Sequence, residues 1–436
     1  MKQTPIDYQT TCDTIHRLGL DDFSKATIRD IATLSRVLEK ETGQPFIHLE
    51  MGVPGLSPSQ IGKEAEAKAL ADGCAAIYPP NGGIPRLKEA ASRFVKAFID
   101  VDVNAENCVA TTGSMQGTFA IFTALHHAVP QKDTVLFIQP GFPVQTTQCE
   151  MIGLKTTGFD IHDYRGERLI CRMEEFLKGG NIAAIVYSNP NNPSWVCFNE
   201  EELKGIGELA TRYDTIVLED LAYFAMDFRR DLSMPFQAPF QATVARYTDN
   251  YIMTISGSKA FSYAGQRIGV TVISDRLAAR SYEALASFGV PAFGKFFSDR
   301  VIYTLSSGVC HSSQHALAAM MEAACEGQFN FVEEVREYGR RAAAMKEILL
   351  ANGFYLVYDN DMGAPLADGF YFTVQYPGMD DIELTRELMF YGISVFPLDT
   401  MGSQQQGVRI CTSFITQQQM SLFGERIALF HGNHRN

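Results

Sequence analysis

Short runs of consecutive apolar residues recur through the middle of the chain, and each is followed by a cluster of Gly, Pro, Asn or Ser. Apolar runs without alternation are typical of strands buried on both faces, as in a parallel sheet covered by helices. Helical spacing of apolar positions lies between the runs, for example over residues 200–213. The runs are Thr134–Ile138, Ile182–Tyr187, Thr215–Leu218 and Tyr251–Ile255. The pattern predicts an α/β domain.

The pattern changes beyond about residue 313. A helical pattern begins at Ser313, includes residues 333–350, and extends towards Gly353. The remaining sequence mixes strand-like and helical segments, which predicts a second, smaller α+β domain. We expect the boundary between the two domains to fall inside the long helix.

Composition and charge narrow the class of protein. The 436 residues are 46% hydrophobic and 20% charged, as in ordinary globular proteins, and the net charge is −13. This acidic balance disfavours a large nucleic-acid footprint, which needs clustered Lys and Arg. The nine cysteines are odd in number and form no C-x-x-C pair, which favours free thiols over disulfides or a metal site. Neither a secretory leader nor an apolar stretch of about 18 residues is present, so we expect a soluble cytoplasmic protein.

Polar residues at the predicted strand ends are candidates for a ligand site, because ligands of open parallel sheets bind outside the carboxyl ends of the strands. Gly113-Ser114-Met115 follows the run Val109–Thr112 and opens a helical pattern. Such a turn leaves backbone N–H groups free to hold a phosphate, although Ser114 also suits an ordinary N-cap. Phe142 follows the next run, on a Pro-Gly turn. Its ring either faces the ligand site or is an ordinary core residue.

The later strand ends carry charge. Asn189-Pro190 and Asn192-Pro193 give a rigid loop with two amides, and Glu219, Asp220 and Tyr223 follow Thr215–Leu218. A carboxylate there must be hydrogen-bonded or paired. Ser256 and Lys259 follow the last run, Arg267 comes eight residues after Lys259, and Arg409 lies in an apolar run near the C-terminus. Singly, each has an ordinary structural explanation. Together they indicate an anionic, flat, nitrogen-containing ligand beside a reactive amine.

The segment Ser256-Gly-Ser-Lys259-Ala-Phe-Ser-Tyr-Ala-Gly-Gln-Arg267-Ile-Gly269 resembles the lysine signature of the class I/II aminotransferases, which are pyridoxal-phosphate enzymes of fold type I. The resemblance extends from Gly52-Val-Pro54 to Arg409. It implies a large cofactor-binding α/β domain over residues 50–315, with a mostly parallel sheet covered by helices. Residues 1–49 and 316–436 would form the smaller α+β domain. The implied activity moves an amino group from an amino acid to a 2-oxo acid.

The same resemblance implies roles for individual residues. Lys259 would carry the Schiff base with pyridoxal 5′-phosphate, and Asp220 would pair with the pyridine nitrogen. The remaining cofactor contacts would be Ser256, Arg267, Ser114 and the Met115 backbone at the phosphate, Tyr223 and Asn192 at the phenolic oxygen, and Phe142 on the ring face. Arg409 would bind the substrate α-carboxylate, with Gly52 and Asn192 beside it. Tyr78 would reach the phosphate of a partner subunit, so a homodimer is implied.

The sequence departs from the family pattern after Asn192-Pro193, where Ser194-Trp195 replaces the usual Thr-Gly. Trp195 either shapes the substrate pocket or packs outward. His311 and His315 lie where the family places a loop of the partner's site, and structural roles are the alternative. No motif supplies a second arginine for a dicarboxylate, although Lys295 and Arg300 lie in a segment that can contribute. We therefore expect a neutral or aromatic amino donor, with 2-oxoglutarate or pyruvate as acceptor.

Other functions remain open from the sequence. The cofactor residues are shared by β-elimination C–S lyases, decarboxylases and racemases on the same scaffold. Ser256-x-x-Lys259 also fits the S-x-x-K of serine acyl-enzymes, although no Lys-Thr-Gly follows and the lysine comes behind a strand instead of starting a helix. A non-catalytic sensor domain is disfavoured because only about fifty residues precede Gly52.

Overall fold

A computed structural model describes residues 4–435 of the chain. The helices are α1 Tyr8–Arg17, α2 Ile28–Thr42, α3 Gln60–Ala71, α4 Pro85–Ile99, α5 Gly113–Ala128, α6 Pro143–Ile152, α7 Glu167–Leu177, α8 Glu200–Arg212, α9 Asp275–Ala279, α10 Phe293–Phe296, α11 Tyr303–Ser306, α12 His311–Cys325, α13 Phe331–Val335, α14 Glu337–Ala351, α15 Asp381–Phe390 and α16 Gln417–His434. The strands are β1 Ile47–His48, β2 Cys108–Thr111, β3 Thr134–Gln139, β4 Lys155–Asp160, β5 Ile182–Ser188, β6 Ile216–Leu221, β7 Tyr251–Ser256, β8 Gly269–Ile273, β9 Tyr355–Leu356, β10 Asn360–Asp361, β11 Ala364–Pro365, β12 Tyr371–Gln375, β13 Ile393–Ser394, β14 Phe396–Pro397 and β15 Val408–Cys411.

The chain divides into two compact units. The larger unit comprises Ser57–Pro190 and Cys197–Val335. The smaller unit comprises the chain up to Leu56, the short segment Asn191–Val196, and the chain from Arg336 onwards. The sequence predicted domain boundaries at residues 49/50 and 315/316. The corresponding boundaries between the two compact units lie at 56/57 and 335/336.

The larger unit is built on one twisted sheet with the strand order β2-β8-β7-β6-β5-β3-β4. The pairs among β7, β6, β5, β3 and β4 are parallel, and β8 runs antiparallel to both of its neighbours. The four strands predicted from apolar runs all lie in the parallel part, where their residues are nearly all buried. Helix α5 packs on this sheet beside β7 and β8. The predicted architecture, a mostly parallel sheet covered by helices, is confirmed.

Two local predictions differ from the structure. Glu219 and Asp220 do not follow a strand, because β6 continues through both of them to Leu221. The predicted long helix is three helices, α12 to α14, and the chain turns at Gly327 with a φ of +70°. A left-handed residue cannot continue a right-handed helix, so glycine ends the pattern here.

The smaller unit contains an antiparallel sheet with the order β14-β15-β12-β9. Thr373 of β12 and Phe396 of β14 flank Arg409 of β15 on its two sides. A separate parallel pair joins Ile47 of β1 to Ile393 of β13. The helices α2, α15 and α16 pack over apolar cores made by this unit's own residues. Each begins with a reciprocal capping box, which satisfies backbone N–H groups in the first turn.

Candidate active site

Asp220 is a buried carboxylate near the carboxyl end of β6. Its Oδ1 accepts hydrogen bonds from Thr254 Oγ1 at 3.0 Å and from the Ala222 backbone N–H at 3.1 Å. Its Oδ2 accepts one from Gln145 Nε2 at 2.9 Å. Thr254 is directly opposite Asp220 in the β6–β7 register, and Gln145 lies in the first turn of α6. Three elements therefore fix one carboxylate.

All three hydrogen-bond donors to Asp220 are electrically neutral. Burial raises the pKa of Asp220 above its ordinary value, and the hydrogen bonds from Thr254, Ala222 and Gln145 oppose that rise. A buried carboxylate is stabilised most by a positive partner. Because residues 4–435 place no Lys or Arg within ion-pair distance of Asp220, the site suits a cationic group supplied by a ligand.

Glu219, the neighbouring residue on β6, points to the opposite side of the strand. It accepts hydrogen bonds from Tyr187 Oη at 3.1 Å and Thr243 Oγ1 at 2.5 Å. Burial raises the pKa of Glu219 to about 7, although these two hydroxyls act against the rise. Glu219 thus belongs to a buried network of its own, and Asp220 remains the strand-end carboxylate of the site.

The N-terminus of α5 forms an anion cradle with Arg267. The first N–H groups of a helix have no acceptor inside the helix, and the N-cap residue Thr112 supplies no side-chain oxygen to them. A Cβ atom added to Gly113, whose φ is +66°, would lie 2.5 Å from Arg267 Nη2, so only glycine leaves room for the guanidinium. Ser114 is inside the first turn, and its buried Oγ has no hydrogen-bond partner among residues 4–435.

The structure excludes one of the two interpretations of Ser114, that of an N-cap residue. The N-cap of α5 is Thr112, so Ser114 is not the capping residue. An orphaned hydroxyl beside free N–H groups and an arginine is a donor set for a phosphate.

Ser256 ends β7 and Lys259 follows in a turn, where Lys259 is partly buried. Ser256 Oγ accepts a hydrogen bond from the Ser258 N–H at 3.1 Å, and Ser258 Oγ accepts one from Arg267 Nη1 at 3.3 Å. Arg267 has a φ of +49° and also donates to the carbonyl of Ala264. The turn after β7 is thereby connected to the cradle. Lys259 does not begin a helix, unlike the lysine of an S-x-x-K enzyme.

The remaining predicted site residues of the larger unit lie on different elements. Phe142 is the partly buried N-cap residue of α6, three residues before Gln145. Tyr223 is 5% exposed and lies three residues past Asp220. Met115 is in the first turn of α5, and its carbonyl accepts from Gln148 Nε2 at 2.9 Å. Tyr78 precedes α4, and its side chain is 86% exposed.

Arg409 is the central residue of the predicted site in the smaller unit. It is 1% exposed and lies on β15, one of the two inner strands of the four-stranded sheet. Nη1 donates to Asn192 Oδ1 at 3.2 Å, and Nη2 donates to the carbonyl oxygen of Glu50. The guanidinium carbon lies 4.6 Å from the Tyr371 ring centre and 5.7 Å from that of Phe396. Arg409 Nε is buried and has no partner within residues 4–435, so a buried cation is held by neutral groups alone.

Tyr371 lies against two other residues of the same unit, Gly52 and Trp195. A Cβ atom on Gly52 would lie 1.7 Å from Tyr371 Oη, so the hydroxyl occupies space that any larger residue would fill. Trp195 is fully buried, has a φ of +63°, and meets the Tyr371 ring edge-on at 6.2 Å. A Cβ atom on Gly369 would lie 2.1 Å from the indole. Trp195 therefore does not pack outward, and its role in shaping the substrate pocket stays a prediction.

His311, His315 and Arg300 have structural partners. His311 Nδ1 lies 3.1 Å from the Ile77 carbonyl oxygen, and its ring stacks on that of His315 at 5.4 Å. Arg300 donates to the carbonyls of Phe288 and Asp299, and Lys295 borders a surface cavity. Within residues 4–435, no three His, Cys, Asp or Glu side chains cluster as a metal ion requires.

Sequence reasoning missed the partners that hold Asp220 and Arg409. Thr254 lies two residues before Ser256 on the same strand and therefore on the same face, a signal that was available. Gln145 lies three residues past Phe142 in a polar stretch that contains other glutamines, and the pattern does not distinguish it. Tyr371 lies in an aromatic strand, where a core position is the ordinary interpretation.

The profile of the family described as "Aminotransferase class I and II" matches residues 45–427. The match covers most of the chain, and the chain belongs to this family, as the resemblance indicated.

Known proteins agree with this assignment. A probable aspartate aminotransferase of Methanocaldococcus jannaschii is 27% identical over 53% of this chain, and the chain spans 58% of that relative's length. An aspartate/prephenate aminotransferase of Thermus thermophilus is 23% identical over 84% of this chain and 87% of its own. Among solved structures, a double mutant of Thermus thermophilus aspartate aminotransferase has a TM-score of 0.76 at 20% identity, covering 95% of this chain and 98% of its own. This likeness confirms the fold.

None of the helices in residues 4–435 is both long and apolar enough to cross a membrane.

Proposed function

We propose that this protein is a pyridoxal-phosphate-dependent aminotransferase that moves an amino group from an amino acid to a 2-oxo acid. The observation that carries the proposal is the Asp220 carboxylate, which is buried, fixed from three sides and held by neutral donors only. Such a group is suited to a cationic ring nitrogen. Membership of the aminotransferase family and the lysine signature at Lys259 supply the reaction class.

The donor set fits the cofactor. The orphaned Ser114 hydroxyl, the open N-terminus of α5 and the Arg267 guanidinium beside Gly113 suit a phosphate dianion. Ser256 is joined to Arg267 through Ser258 and completes this side. Asp220 would supply the anion that a protonated ring nitrogen needs. When bound, pyridoxal 5′-phosphate supplies an electron sink for the charge that develops at the substrate Cα atom.

The chain's own residues then have distinct tasks. Asp220 would hold a proton on the ring nitrogen through a charge-assisted hydrogen bond, which would contribute about 1.5–3 kcal/mol. Lys259 Nζ would hold the cofactor covalently, and its amine would be the group that moves the proton at the substrate Cα atom. Tyr223 and Asn192 would hold the phenolic oxygen, and Phe142 would cover the ring face. Arg409 binds the substrate α-carboxylate in its planar fork.

Arg409 suits that task because none of its contacts neutralises the positive charge of the guanidinium. Its contacts are the amide of Asn192, the carbonyl of Glu50 and two aromatic faces, all of which are uncharged. A buried arginine gains most from a carboxylate partner. Gly52 leaves room for the hydroxyl of Tyr371, the residue whose ring lies against this guanidinium.

We infer a neutral or aromatic amino acid as donor and 2-oxoglutarate or pyruvate as acceptor. The buried Trp195 occupies the place of a glycine and adds apolar bulk beside Tyr371. Arg300, a candidate for a second carboxylate, is engaged with main-chain carbonyls. Trp195→Gly is expected to change the ranking of donors, and an unchanged ranking would remove Trp195 from specificity.

We also propose a homodimer in which Tyr78 reaches the partner subunit's cofactor phosphate. The support is exposure: Ile77 and Tyr78 are 62% and 86% exposed in one loop, and Tyr303 is 52% exposed. Large apolar side chains exposed together mark an interface. Sedimentation velocity at micromolar concentration should give a dimer, and Tyr78→Ala should weaken cofactor retention. A monomer that retains full activity would exclude this arrangement.

We place the protein in a reducing compartment, the cytoplasm, because its nine cysteines are free thiols in the part of the chain that the structure describes.

A panel of amino donors and 2-oxo acceptors tests the proposed reaction. The expected products are the donor's 2-oxo acid and the acceptor's amino acid in equal amounts, and Lys259→Ala should abolish both. Pyruvate with ammonia, carbon dioxide, or the opposite enantiomer as the main product would instead establish a lyase, decarboxylase or racemase. Aspartate as the best donor by a wide margin would contradict the inferred specificity.

A further inference from the structure

Glu50 connects Arg409 to a histidine that has no place in the mechanism above. The backbone carbonyl of Glu50 accepts a hydrogen bond from Arg409 Nη2. The side chain of the same residue points elsewhere and is only 2% exposed. One buried residue thus holds the guanidinium with its backbone, while its carboxylate requires a partner of its own.

The Glu50 carboxylate has two partners. Oε2 accepts a hydrogen bond from Ser394 Oγ at 2.5 Å, and Oε1 lies 3.5 Å from His48 Nδ1. Within residues 4–435, His48 is the only basic side chain that comes within ion-pair distance of this carboxylate. A buried carboxylate whose one cation is removed is strongly destabilised. The placement of Glu50 therefore depends on the charge of His48.

His48 is held between two acids and is open on one side. Glu39 Oε2 of α2 lies 3.6 Å from Nε2, opposite Glu50, and Ser35 Oγ lies 3.2 Å from Nδ1. Burial opposes the charged imidazole, but Glu50 and Glu39 outweigh it and raise the pKa of His48 above its ordinary value. The imidazole is 27% exposed and borders a cavity of about 390 Å³. Solvent protons therefore have access to it.

The charged groups around this cluster are few. Arg36 of α2 lines the same cavity as His48, and Arg426 of α16 acts electrostatically on Glu39. From α16 the cavity is lined by Gln419, an uncharged residue, and from β13 the contact is Ser394. Glu39 and Glu50 are thus the acids that stabilise a proton on His48.

We propose that His48 and Glu50 are a positioning pair for Arg409, in which the charged imidazole fixes Glu50 so that its carbonyl holds the guanidinium ready for a carboxylate. This inference rests on the proposed function through the role of Arg409. Substrate affinity is then highest while His48 carries its proton and falls as the pH rises through the titration of His48. Neither residue touches the substrate, so turnover at saturation is little affected.

The first test is the pH profile of KM for an amino donor. In the wild type, KM should rise at least about fivefold across the His48 titration, with kcat changing much less than in proportion. His48→Gln should already have a high KM at low pH, and its KM should not rise further with pH. Glu50→Gln should show the same high and pH-independent KM. His162→Gln, which removes an exposed histidine beside Asp163, is the matched control and should keep the wild-type profile.

The second test needs no turnover. Binding of 3-phenylpropionate, a carboxylate without an amino group, is measured calorimetrically on the cofactor-loaded protein at two pH values. The wild type should bind at least about fivefold more weakly at the higher pH, and His48→Gln should bind weakly at both. The Arg409→Lys variant reports on the proposed function by itself. If Arg409→Lys weakens binding while His48→Gln follows the wild type at every pH, the positioning pair is excluded and the role of Arg409 stands.

Discussion

Gln145 Nε2 donates a hydrogen bond to Asp220 Oδ2 over 2.9 Å, from the first turn of one helix to the middle strand of the sheet. The contact fixes the second oxygen of a carboxylate whose first oxygen is already held by Thr254 and Ala222. Three hydrogen bonds fix both oxygens of Asp220 and leave the carboxylate able to accept one more. The carboxylate is therefore positioned before any ligand arrives, which is the condition for electrostatic preorganisation.

Asp220→Asn should leave the protein folded and loaded with cofactor, but lower kcat by about 10- to 100-fold, because the amide cannot stabilise a protonated ring nitrogen. Steady-state kinetics and the cofactor content of the purified variant measure the two effects. Glu219→Gln, at the next position of the same strand, is the matched control and should keep its turnover. Full turnover in Asp220→Asn would reassign Asp220 to a structural role.

Arg409→Lys should raise KM by about 10- to 100-fold for all amino donors together, because a bidentate fork becomes a single point charge. The side-chain preference among donors should not change. Arg426→Lys is the control, since Arg426 is also a buried arginine of the smaller unit that donates to a backbone carbonyl, that of Gly392. A rise in KM confined to one class of donor would mean that Arg409 reads the side chain instead of the α-carboxylate.

Gly369→Ala should lower the free energy of unfolding by about 1–3 kcal/mol, because the new methyl group would lie 2.1 Å from the fully buried Trp195 ring. Urea unfolding followed by circular dichroism measures this loss. In the double variant with Trp195→Gly the added cost of Gly369→Ala should largely disappear, which is the non-additivity expected of residues in contact. Gly432→Ala, where no heavy atom lies within 4 Å of the added Cβ, is the control.

Glu219 makes the free energy of unfolding fall as the pH rises, whereas an ion-paired acid makes it rise. The pKa of Glu219 is raised by burial from 4.5 to about 7, so the folded protein holds this proton over a range where the unfolded chain releases it. Stability from this group is complete below the unfolded value and is lost as pH rises through about 7.

Glu219→Gln should therefore gain about 2–3 kcal/mol in free energy of unfolding relative to the wild type between pH 5 and pH 8. Urea unfolding at several pH values gives the difference directly. Glu150→Gln changes an exposed acid and should show no such trend. A constant difference for Glu219→Gln would mean that the buried carboxyl titrates normally.

The parallel strands could be predicted from sequence because burial on both faces leaves continuous apolar runs, such as Ile182–Tyr187. The end of β6 could not be predicted, because Glu219 and Asp220 are acids inside a strand. Only tertiary hydrogen bonds make the burial of these two acids possible. The break after α12 was missed because a single glycine, Gly327, is tolerated in many helical patterns.

The site was predictable to the extent that chemistry-bearing residues follow strands in a recognisable order. Asp220 stands out because a buried carboxylate is costly without a partner, and Lys259 and Arg267 stand out by their spacing in the lysine signature. The supporting residues do not stand out. Gln145 and Glu50 act through hydrogen bonds to residues far along the chain, and no local pattern encodes such pairs.

The central claim, amino-group transfer at Lys259, is tested most directly by a single-turnover reaction. The loaded protein is mixed with excess amino donor and no acceptor, and products are quantified per active site. We predict one equivalent of the donor's 2-oxo acid, no free ammonia, and further product only after an acceptor is added. Borohydride reduction of the resting protein should place the cofactor on the peptide that contains Lys259. Continuous release of ammonia or carbon dioxide without an acceptor, or a cofactor adduct on a different lysine, would contradict the account.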